Sequence, residues 1–307
     1  MAPIRTAIVG LGKIARDQHI PSLAANPDFE LIAVASPHSK LDGVRNFRDI
    51  ETLLQAVPEV AAVALCTTPQ VRYDTARYAL EQGRHVLLEK PPGVTVSEVV
   101  ALAELARRKG VTLFASWHSR HAPAVEPARA WLAGRRILGV TIAWKEDVRV
   151  WHPGQRWIWQ AGGLGVFDPG INALSILTRL VPGVVLQSAE LSFPVNCATP
   201  IAASLLLAEP RGAPIRMELD FLQTGPQTWD IVVETDAGEL TVSMGGKTMA
   251  VDGRPMPGAT TPEYANLYAH FGELVRERGV DVDVAPLQLV ADAFLCGKRL
   301  EVAPFIE

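Results

Sequence analysis

The chain predicts an α/β protein: a doubly wound parallel sheet over residues 1–118, then an α+β part over 119–307 whose sheet is mostly antiparallel. Three observations carry this expectation. Short apolar runs alternate with helical stretches as far as Ser116. The first of those runs ends in a Gly10-x-Gly12-x-x-Ala15 turn that opens a helix. Beyond Val140, short strand-like segments follow one another with Gly and Pro, rather than helices, between most of them.

Taken in order, Thr6–Gly10 is a continuous apolar run of the kind buried on both faces of a parallel sheet. A helical stretch reaches about Ala25, and Glu30–Ser36 forms the second strand. Leu53, Leu54 and Val57 place a helix over 47–57, and Val60–Cys66 is the third strand. Pro69 opens a helix that ends near Gln82, with Gly83 in the position that stops helices. Arg84–Glu89, a helix over Val96–Arg108 and Val111–Ser116 complete the pattern. Right-handed crossovers bring the carboxyl ends of parallel strands to one edge, where ligands bind. Gly10, Ser36, Thr67-Thr68, Glu89-Lys90 and Trp117-His118 fall there as a set. In the second part, strands are expected at Val140–Trp144, Val185–Ser192, Ile201–Leu207, Ile215–Phe221, Trp229–Thr235 and Glu239–Met244. Helices are expected near 121–133, 168–180, 262–278 and 286–300, the last packing back on the first domain.

Composition excludes several classes. With 29 Lys and Arg against 33 Asp and Glu, the net charge of −4 offers no basic field for nucleic acid. Hydrophobic residues at 48% and charged residues at 20% are those of a globular protein. No apolar run approaches the roughly 20 residues of a bilayer span, and the first strand starts too early for a signal peptide. We expect no membrane and a cytoplasmic location. Cys66, Cys197 and Cys296 are odd in number and lack a CxxC pair, which indicates reduced thiols and neither disulfides nor a thiolate metal site.

The glycine turn fits a dinucleotide. Gly10 permits the tight turn, Gly12 lets a pyrophosphate approach the backbone, and Ala15 keeps helix and strand close. Lys13 and Ile14 lie at the helix N-terminus that faces the phosphates. Thr67, Thr68, Pro69, Glu89, Lys90 and Trp117 follow the same edge as further cofactor contacts. After the second strand an acidic residue would favour NAD, but the chain has Ser36-Pro37-His38-Ser39-Lys40. Ser36 can donate to a 2′-phosphate and His38 and Lys40 add positive charge, so NADP is accepted and NAD tolerated. No arginine is adjacent in sequence, Arg45 being the nearest downstream.

Lys90, at the ligand edge and stiffened by Pro91 and Pro92, can hold a reacting hydroxyl and stabilise alkoxide charge. Asp168 has two readings. With Pro169 behind it, it can cap a helix; alternatively, Asp168 and Asn172 share one helix face, a carboxylate and an amide suited to proton abstraction and hydroxyl recognition. Upstream, each of Trp144, Trp151, Trp157 and Trp159 taken singly reads as core packing, but interleaved with Glu146, His152 and Gln155 the cluster also fits a carbohydrate pocket. His118 and His121 lack the partners of a zinc motif, so no metal is expected. There is neither a GxSxG elbow nor a P-loop.

The glycine turn, the Glu89-Lys90-Pro91 element and Asp168-x-x-x-Asn172, in that order, resemble the Gfo/Idh/MocA oxidoreductase family over essentially the whole chain. Further likeness lies in Thr112–Arg120, Trp144–Arg149, Trp151–Gln155 and Gly163–Ser175. The resemblance implies a Rossmann domain, an open sheet in the second domain used for homodimerisation, and NAD(P)-dependent oxidation of an aldopyranose. The implied reaction takes D-galactose or L-arabinose at C1 to the aldonolactone; the two sugars share configuration at C2, C3 and C4. Lys90, Asp168 and Asn172 become the catalytic set, and Lys90, His118, Glu146, Trp151, His152, Asp168 and Asn172 the sugar contacts. Many members carry histidine where this chain has Asn172, which removes the usual aspartate–histidine relay. Another polyol as substrate, or a non-catalytic NAD(P)-binding sensor, are the alternatives.

Overall fold

In the computed structural model, which describes residues 2–258 and 260–307, the chain divides into two units. The first comprises the chain up to His118 together with Tyr264–Val284. Its strands are β1 (Ile4–Val9), β2 (Phe29–Ala35), β3 (Arg45–Phe47), β4 (Ala62–Leu65), β5 (His85–Glu89), β6 (Leu113–Ser116) and β15 (Val280–Asp281). They form one parallel sheet in the order β15-β6-β5-β4-β1-β2-β3. Helices α1 (Ile20–Ala25), α2 (Ile50–Ala56), α3 (Pro69–Glu81), α4 (Val96–Lys109) and α8 (Glu263–Glu277) belong to this unit.

Alternation explains the layering. Ala7, Val9, Val63, Leu65, Val86 and Leu88 face one core with Ala76 and Leu80 of α3 and Leu102 and Ala106 of α4. Ile8, Val34, Ala64 and Leu87 face the other, with Tyr264, Leu267, Tyr268 and Phe271 of α8. Both faces are buried, as continuous apolar strands require. Thr95 and Glu98 close a capping box at the start of α4, and left-handed Gly110 ends it, so local chemistry fixes both ends. The strand order reverses between β1 and β4, the switch point at which doubly wound sheets hold ligands.

One expectation is corrected. The helix that returns to the first unit is α8, which supplies the aromatic side of a core, followed by edge strand β15. The segment expected to do so, 286–300, stays in the second unit. Its helix α9 (Ala285–Cys296) stops at Gly297, and β16 (Lys298–Val302) continues as an edge strand with alternating exposure.

The second unit carries β7 (Ile137–Lys145), β8 (Val185–Pro194), β9 (Ala202–Ala208), β10 (Pro214–Asp220), β11 (Thr228–Thr235), β12 (Gly238–Ser243), β13 (Thr248–Val251), β14 (Arg254–Met256) and β16. The order is β14-β13-β12-β11-β7-β10-β9-β8-β16, antiparallel except for the β7–β10 and β8–β16 pairs. In β10, Ile215, Met217 and Leu219 are buried whereas Arg216 and Glu218 are exposed, so one face is covered and the other open. Helix α7 (Phe167–Leu180), nearly all buried, packs on β7, β11 and α9; α5 (Val125–Leu132) and α6 (Val148–Trp151) complete the unit. Among the described residues no helix is long and apolar enough to cross a membrane.

Candidate active site

In the first unit the site begins where β1 ends. Gly10 has φ +93°, and a Cβ there would lie 2.8 Å from the Thr67 amide nitrogen and 2.9 Å from the Cys66 carbonyl carbon. Only glycine fits a turn held that close to the neighbouring strand's exit. At Gly12 a Cβ would meet nothing within 4 Å, leaving backbone open to a phosphate. Lys13 is ion-paired with Asp17 on the π-helical turn Ala15–His19, and Ile14 is half-buried. Thr67 Oγ1, beyond β4, and Ser116 Oγ, at the end of β6, are buried without hydrogen-bond partners. Buried polar atoms left unmet at the ligand edge, with an open glycine beside them, fit a dinucleotide. The sequence ends this strand at Ser116 but assigns the ligand edge to Trp117-His118, so Ser116 itself is not singled out. Thr68 is the residue before α3 and Pro69 its first residue.

Ser36 is half-buried after β2, its amide bonded to the Phe47 carbonyl, while His38 and Lys40 are exposed. Arg45 is ion-paired with Glu59, whereas Arg16 donates to the Lys40 carbonyl at 3.1 Å. The arginine that meets this loop therefore comes from the glycine-turn helix, distant in sequence and invisible to a search of neighbours.

Lys90 is half-buried, and a buried polar network holds its backbone. The Glu89 carboxylate accepts from the Lys90 amide at 2.7 Å and from the Tyr264 hydroxyl at 2.7 Å, and meets His19 Nε2 at 3.0 Å. His19 Nδ1 meets the Tyr268 hydroxyl at 2.7 Å. Burial alone would raise the Glu89 carboxyl, but the hydrogen bond and charge of His19, followed by His118 and Tyr264, hold it at about 2. Burial disfavours the His19 imidazolium, yet Cys66, Tyr268 and Glu89 outweigh it and keep His19 well above its ordinary value. Burial pushes the Tyr268 hydroxyl up to about 12. Arg72, on α3, donates to the carbonyls of Thr67, Glu89 and Pro91, joining three points of the edge. Both Glu89 oxygens are thus engaged inside the unit. Trp117 is buried and its indole N–H donates to the Asp283 carbonyl at 2.8 Å. His118 stacks on Tyr264 with 5.4 Å between ring centroids.

The second unit gathers a different cluster. Asp168 lies in the first turn of α7 behind Val166, which is the cap residue, so Asp168 does not cap. It is buried, with Asn172 four residues on in the same helix. His152 stands between two carboxylates, its Nε2 3.0 Å from Glu146 Oε1 and its Nδ1 3.6 Å from Asp168 Oδ2. Glu146 Oε2 accepts from the Trp229 indole N–H at 2.8 Å. Trp229 also packs on Trp151 at 4.7 Å and on Trp144 at 6.0 Å between centroids. Trp151 is 39% exposed and presents aromatic surface, whereas Trp159 packs on Phe221 and Phe305. Trp229 was missed; the signal is its strand register, directly opposite Trp144 in the β7–β11 pair. Among the described residues no group of three or more His, Cys, Asp and Glu is placed to hold a metal ion.

The Rossmann unit and these clusters have counterparts. Residues 4–116 match the model of the Gfo/Idh/MocA group, described as an oxidoreductase family with an NAD-binding Rossmann fold. The whole chain is 46% identical over 308 residues to galactose 1-dehydrogenase of Pseudomonas fluorescens, covering 100% of both. The chain belongs to the Gfo/Idh/MocA oxidoreductase family. As a member of that family it is an oxidoreductase. A crystal structure of D-galactose-1-dehydrogenase from Rhizobium etli superimposes with a TM-score of 0.95 at 54% identity, covering 100% of this chain and 99% of that one. At 20% identity, an inositol dehydrogenase homolog from Azotobacter vinelandii complexed with NAD+ shares the fold, with a TM-score of 0.77 and coverage of 90% and 87%.

Proposed function

We propose that this Gfo/Idh/MocA oxidoreductase is an NAD(P)-dependent aldose 1-dehydrogenase that oxidises D-galactose and L-arabinose at C1 to the aldonolactone. The observation that carries the reading is whole-length similarity, at 46% and 54% identity, to two proteins named for galactose 1-dehydrogenation. Gly10, Gly12, Ile14, Thr67 and Ser116 hold the dinucleotide, with Ser36 and Arg16 meeting a 2′-phosphate when NADP is used. Nicotinamide, when bound, supplies the acceptor for the hydride that leaves C1. Asp168 accepts the proton of the anomeric hydroxyl, since an ammonium cannot act as base. Lys90 donates to the same oxygen and stabilises the charge that develops there. Asn172, Glu146 and His118 recognise ring hydroxyls, and Trp151 covers the apolar face of the sugar. The reading includes a cytoplasmic homodimer built on the open face of the second unit's sheet, which sedimentation checks.

The test follows reduced-nicotinamide absorbance with both sugars, a panel of inositols and both cofactors. Turnover of D-galactose and L-arabinose is expected, with a loss of about 100-fold or more in Lys90→Ala and in Asp168→Asn. Activity confined to inositols, or folded variants that turn over at the parental rate, would overturn the reading.

A further inference from the structure

The imidazole of His152 is trapped between two buried carboxylates, and its surroundings fix which nitrogen carries hydrogen. Glu146 cannot turn away, because its second oxygen accepts from the Trp229 N–H at 2.8 Å. An ionised carboxylate only accepts, so the ring nitrogen 3.0 Å from it, Nε2, bears the hydrogen. In the neutral ring the lone pair then lies on Nδ1, which faces Asp168 Oδ2. Two acceptors facing each other do not bond. The separation is 3.6 Å, and Nδ1 is a buried atom without a hydrogen-bond partner.

We propose that His152 receives the proton that Asp168 draws from the anomeric hydroxyl, acting as a positioning residue through Asp168 rather than on the sugar. The inference rests on the aldose reading above. In the step, the anomeric O–H bond breaks and its proton passes to Asp168. The C1–H bond breaks with its electron pair leaving as hydride to the oxidised dinucleotide, and the C1=O bond forms. Protonated Asp168 is now a donor, and the waiting lone pair on Nδ1 accepts its hydrogen. The proton moves on to Nδ1, giving an imidazolium flanked by two carboxylates, and leaves to solvent through a ring that is 15% exposed. The contact is absent in the resting state and made as the proton transfers, which is the kind of interaction that raises turnover. Asn172, four residues along α7, carries an amide that cannot take a proton. The histidine that serves Asp168 comes from the end of α6 instead.

Glu146→Gln tests the idea with little change of shape. The Trp229 N–H orients the substituted amide with its oxygen toward the indole, so its NH2 faces Nε2. That nitrogen must then accept, and the hydrogen moves to Nδ1, where it bonds ionised Asp168 and weakens it as a base. Turnover is expected to fall about 10- to 100-fold; a rise in sugar KM belongs to the hydroxyl contact of Glu146 itself, and the ring tautomer read below reports the effect on Asp168. His152→Ala should lose a similar amount and regain turnover on addition of imidazole. Independently of any substrate, 15N NMR of the ring should show the Nε2–H tautomer in the parent protein and Nδ1–H in Glu146→Gln. A His152→Ala variant with a raised sugar KM, parental turnover and no response to imidazole would make His152 a hydroxyl-binding group and overturn the proposal. An Nδ1–H tautomer in the parent, or a resting ring carrying hydrogen on both nitrogens, would overturn it too. If the parent oxidises no aldose while the NMR shows the expected tautomers, the sugar assignment fails and the Asp168–His152 arrangement is supported.

Discussion

Alanine at Gly10 and alanine at Gly12 remove the same single hydrogen from one turn and should have separable consequences. At Gly10 the added methyl would lie 2.8 Å and 2.9 Å from backbone atoms of Thr67 and Cys66, and φ is +93°. Backbone strain of this kind costs about 1–3 kcal/mol, and overpacking against atoms that cannot rotate away costs about 1–3 kcal/mol more. The first unit should therefore lose about 2–6 kcal/mol of unfolding free energy. At Gly12 nothing lies within 4 Å and φ is ordinary, so the loss there should be that of a surface substitution, within about 0.5 kcal/mol. Dinucleotide affinity should nevertheless fall in both: in Gly10→Ala because the turn is displaced, in Gly12→Ala because the methyl fills the approach to the pyrophosphate. Urea unfolding without cofactor and calorimetric titration with NADP measure the two effects separately. A Gly12→Ala protein that binds NADP like the parent would refute the assignment of that open space to the cofactor. Equal destabilisation by both substitutions would refute the steric account of Gly10.

The buried His19–Glu89 pair sets a pH window. Glu89, lowered from 4.5 to about 2, contributes stability that is present above 4.5 and lost as pH falls toward 2. His19, raised well above 6.5, contributes stability fully present below 6.5 and lost as pH climbs through its folded value. Urea unfolding across pH should give a maximum between these limits, and Glu89→Gln should flatten its acid side; an unchanged acid limb would sink this assignment. Arg72→Leu strips the donor from three backbone carbonyls and should cost about 3–5 kcal/mol, measured by the same unfolding assay. Ser36→Asp should repel the 2′-phosphate and move the kcat/KM ratio toward NAD by about 10-fold or more, measured in paired steady-state assays.

The sequence revealed the parts of the fold that local chemistry fixes. The Thr95–Glu98 capping box and Gly110 delimit α4 to within a residue of where spacing put it, and the apolar runs of β1, β2, β4 and β5 are unambiguous. It misled where a segment's destination depends on distant partners. The amphipathic pattern of α8 shows that one face is buried but not against what, yet Tyr264 and Tyr268 complete a network around His19 and Glu89, with Tyr268 more than 240 residues from His19. Glu89 shows the same limit within the site. Its position at a strand's carboxyl end is legible, but the direction of its carboxylate is set by His19 and Tyr264, which lie far away in sequence. His152 was legible as a polar group among tryptophans, but not as a neighbour of Asp168, because the two sit on different elements, α6 and α7.

The two clusters differ in what their charges are built to do. Around Lys90 the supports are buried groups bonded to one another, with Glu89 held down, against its burial, at about 2 by His19 and Tyr268 pushed up to about 12 by burial. Arg72 is permanently cationic. Such a frame fixes the backbone of Lys90. The cluster around Asp168 contains an imidazole with one occupied and one vacant nitrogen, each facing a carboxylate. The reaction proposed above uses both kinds of environment, since a donor that shifts would spread the oxyanion's stabilisation over many geometries, and a base that cannot pass on its proton would stop after one turnover. It follows that substitutions in the Glu89 network should lower stability and turnover together, whereas Glu146→Gln should lower activity with little loss of stability.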